Sequence, residues 1–249
     1  MNLYLAGGYG YLRRDWCKTT IKSDPISYLG SFFYADETLE ELIPHFKNFL
    51  LDSGAFTFMV SQKSHCDFDG YLERYADFIN KNKVEKFFEL DIDAVVGYEK
   101  VLEYRERLER MTRKQCIPVW HKTRGHAEYI RHCEEYPYVA IGGVVINEIK
   151  KTEYKVFPKM IEQAHKRNAK VHGLGFTNLA GLEKYHFDSV DSTAWVSGNR
   201  FGHIYKFNGR TMEKVSAPDG YRLADKGRGV AENNMKEWIK FQKYAEVKL

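Results

Sequence analysis

Two carboxylates near residue 190 have the spacing and setting for covalent or acid–base chemistry. Asp188 and Asp191 lie three positions apart in a run, residues 187–192, that alternates apolar and polar residues before ending in small ones. Such a run is typical of a short buried strand that leads into a polar tip. Side chains alternate along a strand, so Asp188 should share the face of Val190 while Asp191 lies on the other face. Asp191 is also at the strand exit, where barrel and open α/β enzymes place their chemistry, although an Asp there can simply cap a turn.

A further carboxylate follows a similar apolar run earlier in the chain. Asp52 ends residues 49–52 and is followed by Ser53-Gly54-Ala55. Two carboxylates from different strands suit a reaction at a sugar C1′, where one attacks as nucleophile and the other moves protons. We therefore take Asp52 and Asp191 as the candidate catalytic pair.

Short apolar runs that alternate with amphipathic segments must position these carboxylates. The predicted strands cover residues 3–6, 28–33, 49–52, 87–91, 117–120, 139–141, 170–172 and 189–191. The predicted helices cover residues 39–47, 71–80, 98–113, 127–133, 154–166, 179–184 and 231–244, and the link between the first two strands has no clear helical pattern. This alternation favours a parallel sheet. Eight strands in 249 residues favour a single (β/α)₈ TIM barrel as one domain over residues 1–249.

Composition narrows the class of protein. Hydrophobic residues make up 43% of the chain, yet no apolar run approaches a membrane span of ~20 residues. The first five residues are typical of a strand and not of a signal peptide. The cysteines show no zinc-binding spacing and are Cys17, Cys66, Cys116 and Cys133. We expect free thiols in the cytoplasm, without metal, cofactor or membrane, and the net charge of +4 is only a weak indication of an anionic partner.

Polar residues and glycines follow most of the predicted strands. Besides Asp52 and Asp191, the residues at these ends are Asp91, Trp120, His121, Gly142, Gly143, His172 and Gly173. The carboxyl ends of all strands in a barrel converge on one face. Turn chemistry alone would explain any one of them, but the whole set favours an active face.

Some of these residues suit a flat, hydrogen-bonding ring. The Gly142-Gly143 pair offers backbone N–H groups for a ring carbonyl, since no side chain blocks the approach. Asp91 could accept N–H donors from a guanine edge, and Phe56 could stack on the ring. The alternatives are that Asp91 pairs with a nearby Lys or Arg and that Phe56 belongs to the core.

A basic, aromatic segment follows the eighth predicted strand. Between Arg200 and Arg228 the chain has seven Lys or Arg residues against three acidic ones, with Phe and Tyr interleaved. Phosphates attract such cations, and flipped bases stack on such aromatic rings. Asn208-Gly209 predicts a β-hairpin, so an extension over about residues 198–228 is expected within the barrel domain. An ordinary hairpin with solvated charges is the alternative.

Several motifs together resemble those of guanine transglycosylases, barrel enzymes that exchange guanine for a 7-deazaguanine in nucleic acid. Residues 51–56 are similar to the Asp-Ser-Gly-Gly-aromatic motif of that family, with Ala55 in place of the second Gly. Asp91, Gly142-Gly143 and residues 172–175 follow in the order of the family's base pocket. Residues 190–192 resemble the strand with the nucleophilic Asp, and residues 198–205 resemble the stretch that contacts nucleic acid. The resemblance spans about residues 49 to 210.

Departures from the tRNA enzymes point to one branch of that family. No cysteine lies beyond Cys133, where those enzymes carry a zinc insertion, and Trp120 or His121 replaces a Gln of their base pocket. A compact, zinc-less chain looks like the phage-type branch that acts on DNA, which would place it in the host cytoplasm.

The resemblance implies a DNA-guanine transglycosylase with Asp191 as nucleophile and Asp52 as general base. It implies a base pocket formed by Phe56, Asp91, Trp120, His121, Gly142, Gly143, His172 and Gly173. Together with the basic segment, it implies nucleic-acid contacts by Asn199, Arg200, Lys206 and Arg210. Exchange on tRNA, a barrel glycoside hydrolase and a non-catalytic nucleic-acid-binding barrel are the alternatives. The particular 7-deazaguanine and the oligomeric state stay open.

Overall fold

The computed structural model describes residues 1–55, 57, 67–176, 178–216 and 228–249, with the backbone alone at residues 199–201 and 228. Its central element is a curled sheet of seven parallel strands in the order β3-β2-β1-β7-β6-β5-β4. These strands are β1 (Asn2–Ala6), β2 (Ser27–Ser31), β3 (Asn48–Asp52), β4 (Val119–Trp120), β5 (Tyr138–Ile141), β6 (Lys170–Gly173) and β7 (Ser189–Ser192). Each coincides with a predicted strand to within two residues, so the predicted parallel α/β fold is confirmed.

The fourth predicted strand is reduced to isolated bridges between β3 and β4. Leu51 pairs with Phe87 and Phe88 pairs with Ile117, both in parallel. The Phe88 N–H donates to Leu51 O at 2.9 Å, and the Ile117 N–H donates to Phe87 O at 2.8 Å. The extended run then bends, because the Asp91 N–H donates to Glu89 O within the same segment. The regular sheet therefore has seven strands instead of the predicted eight.

Helices and short turns fill most of the connections between strands. The helices are α1 (Tyr9–Leu12), α2 (Asp15–Ser23), α3 (Glu37–Leu42), α4 (Phe68–Lys81), α5 (Asp93–Val96), α6 (Tyr98–Thr112), α7 (Gly125–Glu135), α8 (Phe157–His165), α9 (Leu179–Tyr185), α10 (Ala194–Phe201) and α11 (Arg228–Lys248). Helix α3 begins at Glu37, two residues before the predicted start, because Asp36 Oδ1 accepts the Leu39 N–H at 2.9 Å as an N-cap. The link between β1 and β2, for which no helix was predicted, contains α1 and α2. Helix α2 was missed because its buried stripe is short, with Cys17 and Ile21 one turn apart.

Both faces of the sheet are buried. The larger apolar cluster lies between the sheet and the helices and includes Leu51 and Val190. A smaller cluster on the inner face comprises Tyr4, Ala6, Leu29, Leu50, Phe88, Ile117, Val119 and Ala140. Alternation along the strands produces this division, as Leu50 faces inward and Leu51 outward. No helix in the described part of the chain is long and apolar enough to cross a membrane.

A β-hairpin follows α10, as Asn208-Gly209 predicts. Its strands β8 (His203–Phe207) and β9 (Met212–Ser216) pair antiparallel, and Asn208 Oδ1 accepts the Arg210 N–H at 3.0 Å in the turn. The hairpin packs on α11, where Phe207 contacts Tyr244 with ring centroids 5.6 Å apart. The nearby Gln242 donates to Leu3 O and Ser27 O, at the starting ends of β1 and β2. The hairpin tip therefore lies toward the end of the sheet where the strands begin.

Candidate active site

A cavity of about 880 Å³ opens at the carboxyl-terminal end of the sheet. Its wall includes Asp52, Asp91, His121, Gly143 and Asp191, each at the end of a strand or in the loop that follows it. These are predicted site residues, and they come together although they lie up to 139 positions apart in the sequence. The structure thus brings both candidate catalytic carboxylates into one concave site.

Asp191 is held by hydrogen bonds that all meet on one of its oxygens. The Gly175 N–H donates to Asp191 Oδ1 at 2.6 Å, and His172 Nε2 lies 3.2 Å from the same atom. Asp191 is only 7% exposed, on the inner face of β7. Such fixed donors orient a carboxylate toward a ligand in the cavity.

Asp188 lies on the opposite side of the sheet, as the alternation predicts. Its Oδ2 accepts the Val171 N–H and contacts His165 Nε2, both at 2.8 Å. Val190 packs in the cluster between the sheet and the helices. The division of Asp188 and Asp191 between two faces is therefore confirmed.

Asp52 lines the other side of the cavity and is chemically distinct from Asp191. The Gly54 N–H donates to its Oδ2 at 2.9 Å. Burial raises the pKa of Asp52 to about 6; this hydrogen bond opposes the rise, and the charge of Asp191 adds to it. A carboxyl group with a pKa near 6 can both take up and release a proton near neutral pH.

The His121 ring lies between Asp91 and Glu148 and contacts both carboxylates. His121 Nε2 lies 2.7 Å from Asp91 Oδ2, and His121 Nδ1 lies 2.8 Å from Glu148 Oε2. Burial acts to lower the pKa of His121, but the hydrogen bond and charge of Asp91, with the Glu148 hydrogen bond, raise the pKa to about 9. His121 is thus a cation between two carboxylates at neutral pH.

Arg124 binds the same carboxylate from the other side. Its Nη2 lies 2.8 Å from Asp91 Oδ1 and 2.9 Å from Asp93 Oδ2, and its Nη1 lies 3.2 Å from Glu89 Oε1. The interpretation of Asp91 as an ion-pair partner is therefore correct, and Asp91 also faces the cavity. Asp91, Asp93 and His121 have ligand atoms within 4.8 Å of one another, which would suit a metal ion. Arg124 already supplies a cation to both of these aspartates, so we describe the group as an ion-pair network.

The two glycines after β5 have different roles. The Gly142 N–H donates to Trp120 O at 2.9 Å in the sheet, so it cannot serve a ligand as the sequence suggested. A Cβ on Gly142 would lie 3.0 Å from the His121 ring. Gly143 lines the cavity at φ +78°, and a Cβ there would lie 2.7 Å from Glu148 Oε2. The pair therefore makes room for His121 and Glu148.

Other residues assigned to the base pocket lie outside the cavity wall. The Trp120 indole points into the helical layer and donates to Gly125 O at 2.8 Å. His172 is fully buried beneath Asp191. A Cβ on Gly173 would lie 3.1 Å from Phe176, so that glycine serves packing. Alternation along the strands separates Trp120 and Gly173 from His121 and Leu174, which face the cavity, whereas His172 shares the inner face with Leu174 but lies below Asp191.

Several cavity residues were missed by sequence reasoning. Tyr9 and Tyr34 form an aromatic wall with ring centroids 4.8 Å apart, and Val145 and Ile146 contribute an exposed apolar loop. Lys151 is a cation on the cavity wall. These residues lie in short helical turns or in loops that give no periodic signal, so only the folded arrangement identifies them.

The predicted nucleic-acid residues are only partly described. Asn199 and Arg200 belong to α10, but their side chains lie outside the described residues, as does all of Phe56. Lys206 is exposed on β8. Arg210 forms paired hydrogen bonds to Glu183 at 2.9 and 2.8 Å near the hairpin tip, away from the cavity end. The aromatic Tyr205 packs edge-on against Trp238, so it supports the core of the hairpin.

Comparison with models of known protein families gives no match, and comparison with curated protein sequences gives none either. The function is therefore inferred from the geometry of the cavity and from the motifs that line it.

Proposed function

We propose that this protein is a base-exchanging transglycosylase that replaces guanine in DNA with a 7-deazaguanine. The observation that carries the proposal is one cavity that gathers Asp52, Asp91 and Asp191 at the carboxyl end of a parallel sheet. Ligand sites of α/β proteins occupy this end of the sheet. The predicted closing of the sheet into an eight-stranded barrel, through the bridged segment at Phe87 and Phe88, is part of the same proposal.

The reaction assigns one role to each catalytic carboxylate. The target nucleotide first leaves the base stack, because C1′ is otherwise out of reach. The Asp191 carboxylate attacks C1′, the bond from C1′ to guanine N9 breaks, and its electron pair leaves with the base. Asp52 in its protonated form donates a proton to the departing base.

The second half of the reaction reverses these steps with another base. Asp52, now ionised, takes the N9 proton of the incoming 7-deazaguanine. The base then attacks C1′ and the Asp191 carboxylate leaves. A pKa of about 6 lets Asp52 act in both directions near neutral pH.

Base recognition is assigned to Asp91 and the aromatic wall. Each oxygen of Asp91 already has one hydrogen-bond partner, and each keeps a second lone pair for an N–H donor of the guanine edge. Tyr34, which is 48% exposed, offers a flat face to a planar ring. Phe56 remains a prediction for stacking on the other side.

The polymer contacts are assigned to cations near the cavity. Lys151 lies on the cavity wall and can reach a phosphate beside the flipped nucleotide. Asn199, Arg200 and Lys206 keep the role predicted from the sequence. Arg210 is the weakest member of that group, since Glu183 already pairs with it.

The test is incorporation of radiolabelled guanine into precipitated polymer, with duplex DNA and tRNA offered separately. We expect label in DNA with the wild-type protein and none with Asp191→Asn. Label in tRNA alone would show that the protein exchanges guanine in tRNA instead of DNA. Absence of label in both polymers would refute base exchange, and a parallel assay with oligosaccharides would then test the glycoside-hydrolase alternative.

A further inference from the structure

A chain of buried polar groups lies beneath Asp191 on the inner face of the sheet. His172 Nε2 lies 3.2 Å from Asp191 Oδ1, and His172 Nδ1 lies 2.5 Å from Ser189 Oγ. The Ser189 hydroxyl in turn contacts the Tyr138 hydroxyl. His172 is 0% exposed and Ser189 is 1% exposed, so bulk water does not compete for these groups.

The surroundings of His172 are aromatic. Its ring centroid lies 5.3 Å from that of Phe88, 6.1 Å from that of Tyr4 and 6.5 Å from that of Tyr138. These rings cannot replace a hydrogen bond to either ring nitrogen, so the contacts with Ser189 and Asp191 are the ones that satisfy them.

Chemistry fixes the direction of the hydrogen bonds in this chain. An ionised Asp191 can only accept, so His172 Nε2 must carry a hydrogen. In the neutral ring Nδ1 then accepts from the Ser189 O–H, and Ser189 Oγ accepts from the Tyr138 O–H. Tyr138 therefore donates to Ser189, and Ser189 donates to His172. His172 Nε2 then donates to the Asp191 carboxylate.

We propose that His172 is a positioning residue that aims Asp191 at its substrate. The donors from His172 and Gly175 both go to Oδ1, which fixes the plane of the carboxylate and leaves Oδ2 for attack. The Ser189 hydroxyl, which is itself hydrogen-bonded to Tyr138, donates to His172 Nδ1. This contact keeps the hydrogen of the neutral ring on Nε2. This inference rests on the proposed role of Asp191 as nucleophile.

The same donors act in both halves of the exchange. When Oδ2 bonds to C1′ and the bond to the departing base breaks, Oδ1 becomes the carbonyl oxygen of the ester and keeps its donors. When the incoming base displaces Asp191, the electron pair of the C1′–Oδ2 bond returns to the carboxylate, and the donors stabilise it. His172 should therefore affect the rates of both steps and leave the affinity for the base unchanged.

The kinetic test compares two substitutions at the same position. His172→Leu removes the donor and should slow covalent adduct formation and its resolution by about 10- to 100-fold, the loss that misplacement of a reacting group produces. His172→Gln can keep an N–H near Asp191 and should restore part of the rate. The KM for the incoming base should stay within about twofold of wild type in both variants.

The control is Tyr4→Phe, which alters another ring against His172 without touching its hydrogen bonds. It should leave both rates unchanged. Urea unfolding of every variant identifies those that fail to fold. Full activity in a folded His172→Leu protein would overturn the proposal.

A second measurement needs no catalysis. ¹⁵N NMR of histidine-labelled protein, with His172 assigned through the Gln variant, should show hydrogen on Nε2 and a shifted signal in Asp191→Asn. Hydrogen on Nδ1 alone would overturn the proposal even if the enzyme is active. If the wild-type protein exchanges no base in any polymer, the proposed function fails, and the tautomer still decides whether His172 donates to Asp191.

Discussion

Asp52 and Asp191 have the same side-chain chemistry but different surroundings, and the surroundings separate their roles. Burial raises the pKa of Asp52 to about 6, so its protonation changes near neutral pH. Asp191 instead receives hydrogen bonds from the Gly175 N–H and His172. These two contacts fix the orientation of the carboxylate, which a nucleophile needs.

Replacement of Asp191, the proposed nucleophile, should abolish the proposed covalent intermediate. We expect Asp191→Asn to form no slow-migrating adduct with DNA on a denaturing gel and to lose at least about 10⁴-fold in exchange rate. The amide is nearly the same size as the carboxylate, so the fold should survive. Asp188→Asn is the matched control, because that carboxylate lies on the opposite face of β7 and should be dispensable for adduct formation. An adduct that persists in Asp191→Asn and disappears in Asp188→Asn would contradict our assignment.

The pKa of Asp52 gives a pH dependence with a definite sign. Resolution of the adduct needs ionised Asp52, so its rate should rise with pH through about 6 and then level off. Asp52→Asn should form adduct more slowly, because it cannot donate a proton to the departing guanine, and it should resolve the adduct slowly and lose this acid limb. Single-turnover measurements from pH 5 to 8 test both expectations. An unchanged pH profile in Asp52→Asn would assign the proton transfer to another group.

At the scale of elements, the turn after β4 and helix α6 are joined to the site by buried charges. Arg124, in the 3₁₀ turn Lys122–Arg124, contacts Glu89, Asp91 and Asp93, and its side chain is only 2% exposed. Arg105 on α6 binds Glu89 Oε2 at 2.7 Å. This network fixes Asp91 in the cavity and ties the bent segment after Phe88 to the helical layer.

Removal of the central cation should therefore be costly. Arg124→Met should lower the free energy of unfolding by about 3–5 kcal/mol, because it removes the cation that Glu89, Asp91 and Asp93 share and leaves Arg105 and His121 to balance the buried carboxylates. Urea denaturation at pH 7 measures the change. Arg131→Met is the matched control. The Arg131 side chain is 46% exposed, so its ion pair with Glu128 should contribute about 0–1 kcal/mol to stability. Equal effects of the two substitutions would show that the network adds no stability.

At the scale of the whole molecule, the cavity and the hairpin tip lie toward opposite ends of the sheet. The cavity opens where the strands end, whereas the hairpin leads toward the starting ends of β1 and β2. DNA that enters the cavity should therefore meet Lys151 before Arg210. The net charge of +4 favours association with a polyanion but does not decide which face binds it.

Salt dependence distinguishes these two surfaces. Lys151→Ala should weaken DNA binding and lower the slope of log K against log salt concentration by about 0.9, the value of one phosphate contact. Lys170→Ala should leave the slope unchanged, because Lys170 is exposed at the first residue of β6, on the other end of the sheet. Fluorescence anisotropy over 50–200 mM salt is the measurement. A lower slope in Arg210→Ala with no change in Lys151→Ala would favour the hairpin surface predicted from the sequence.

Local sequence patterns determined the positions of the strands and the faces of their side chains. The period of two residues in a strand separated Asp188 from Asp191, and Asn208-Gly209 fixed the hairpin turn, because each signal spans only a few neighbouring residues. The same patterns placed Asp52, Asp91, His121, Gly143 and Asp191 at strand ends, which a parallel sheet must bring to one edge.

Only the tertiary structure decided which groups those residues meet. Glu148 and Arg124 come from segments without periodicity, yet Glu148 holds His121 Nδ1 and Arg124 holds Asp91 Oδ1. The Gly142 N–H is used by Trp120 in the neighbouring strand, and the segment at Phe87 forms single bridges instead of a regular strand. Hydrogen bonding between distant segments depends on how the whole sheet curls and packs, and no short stretch of sequence contains that information.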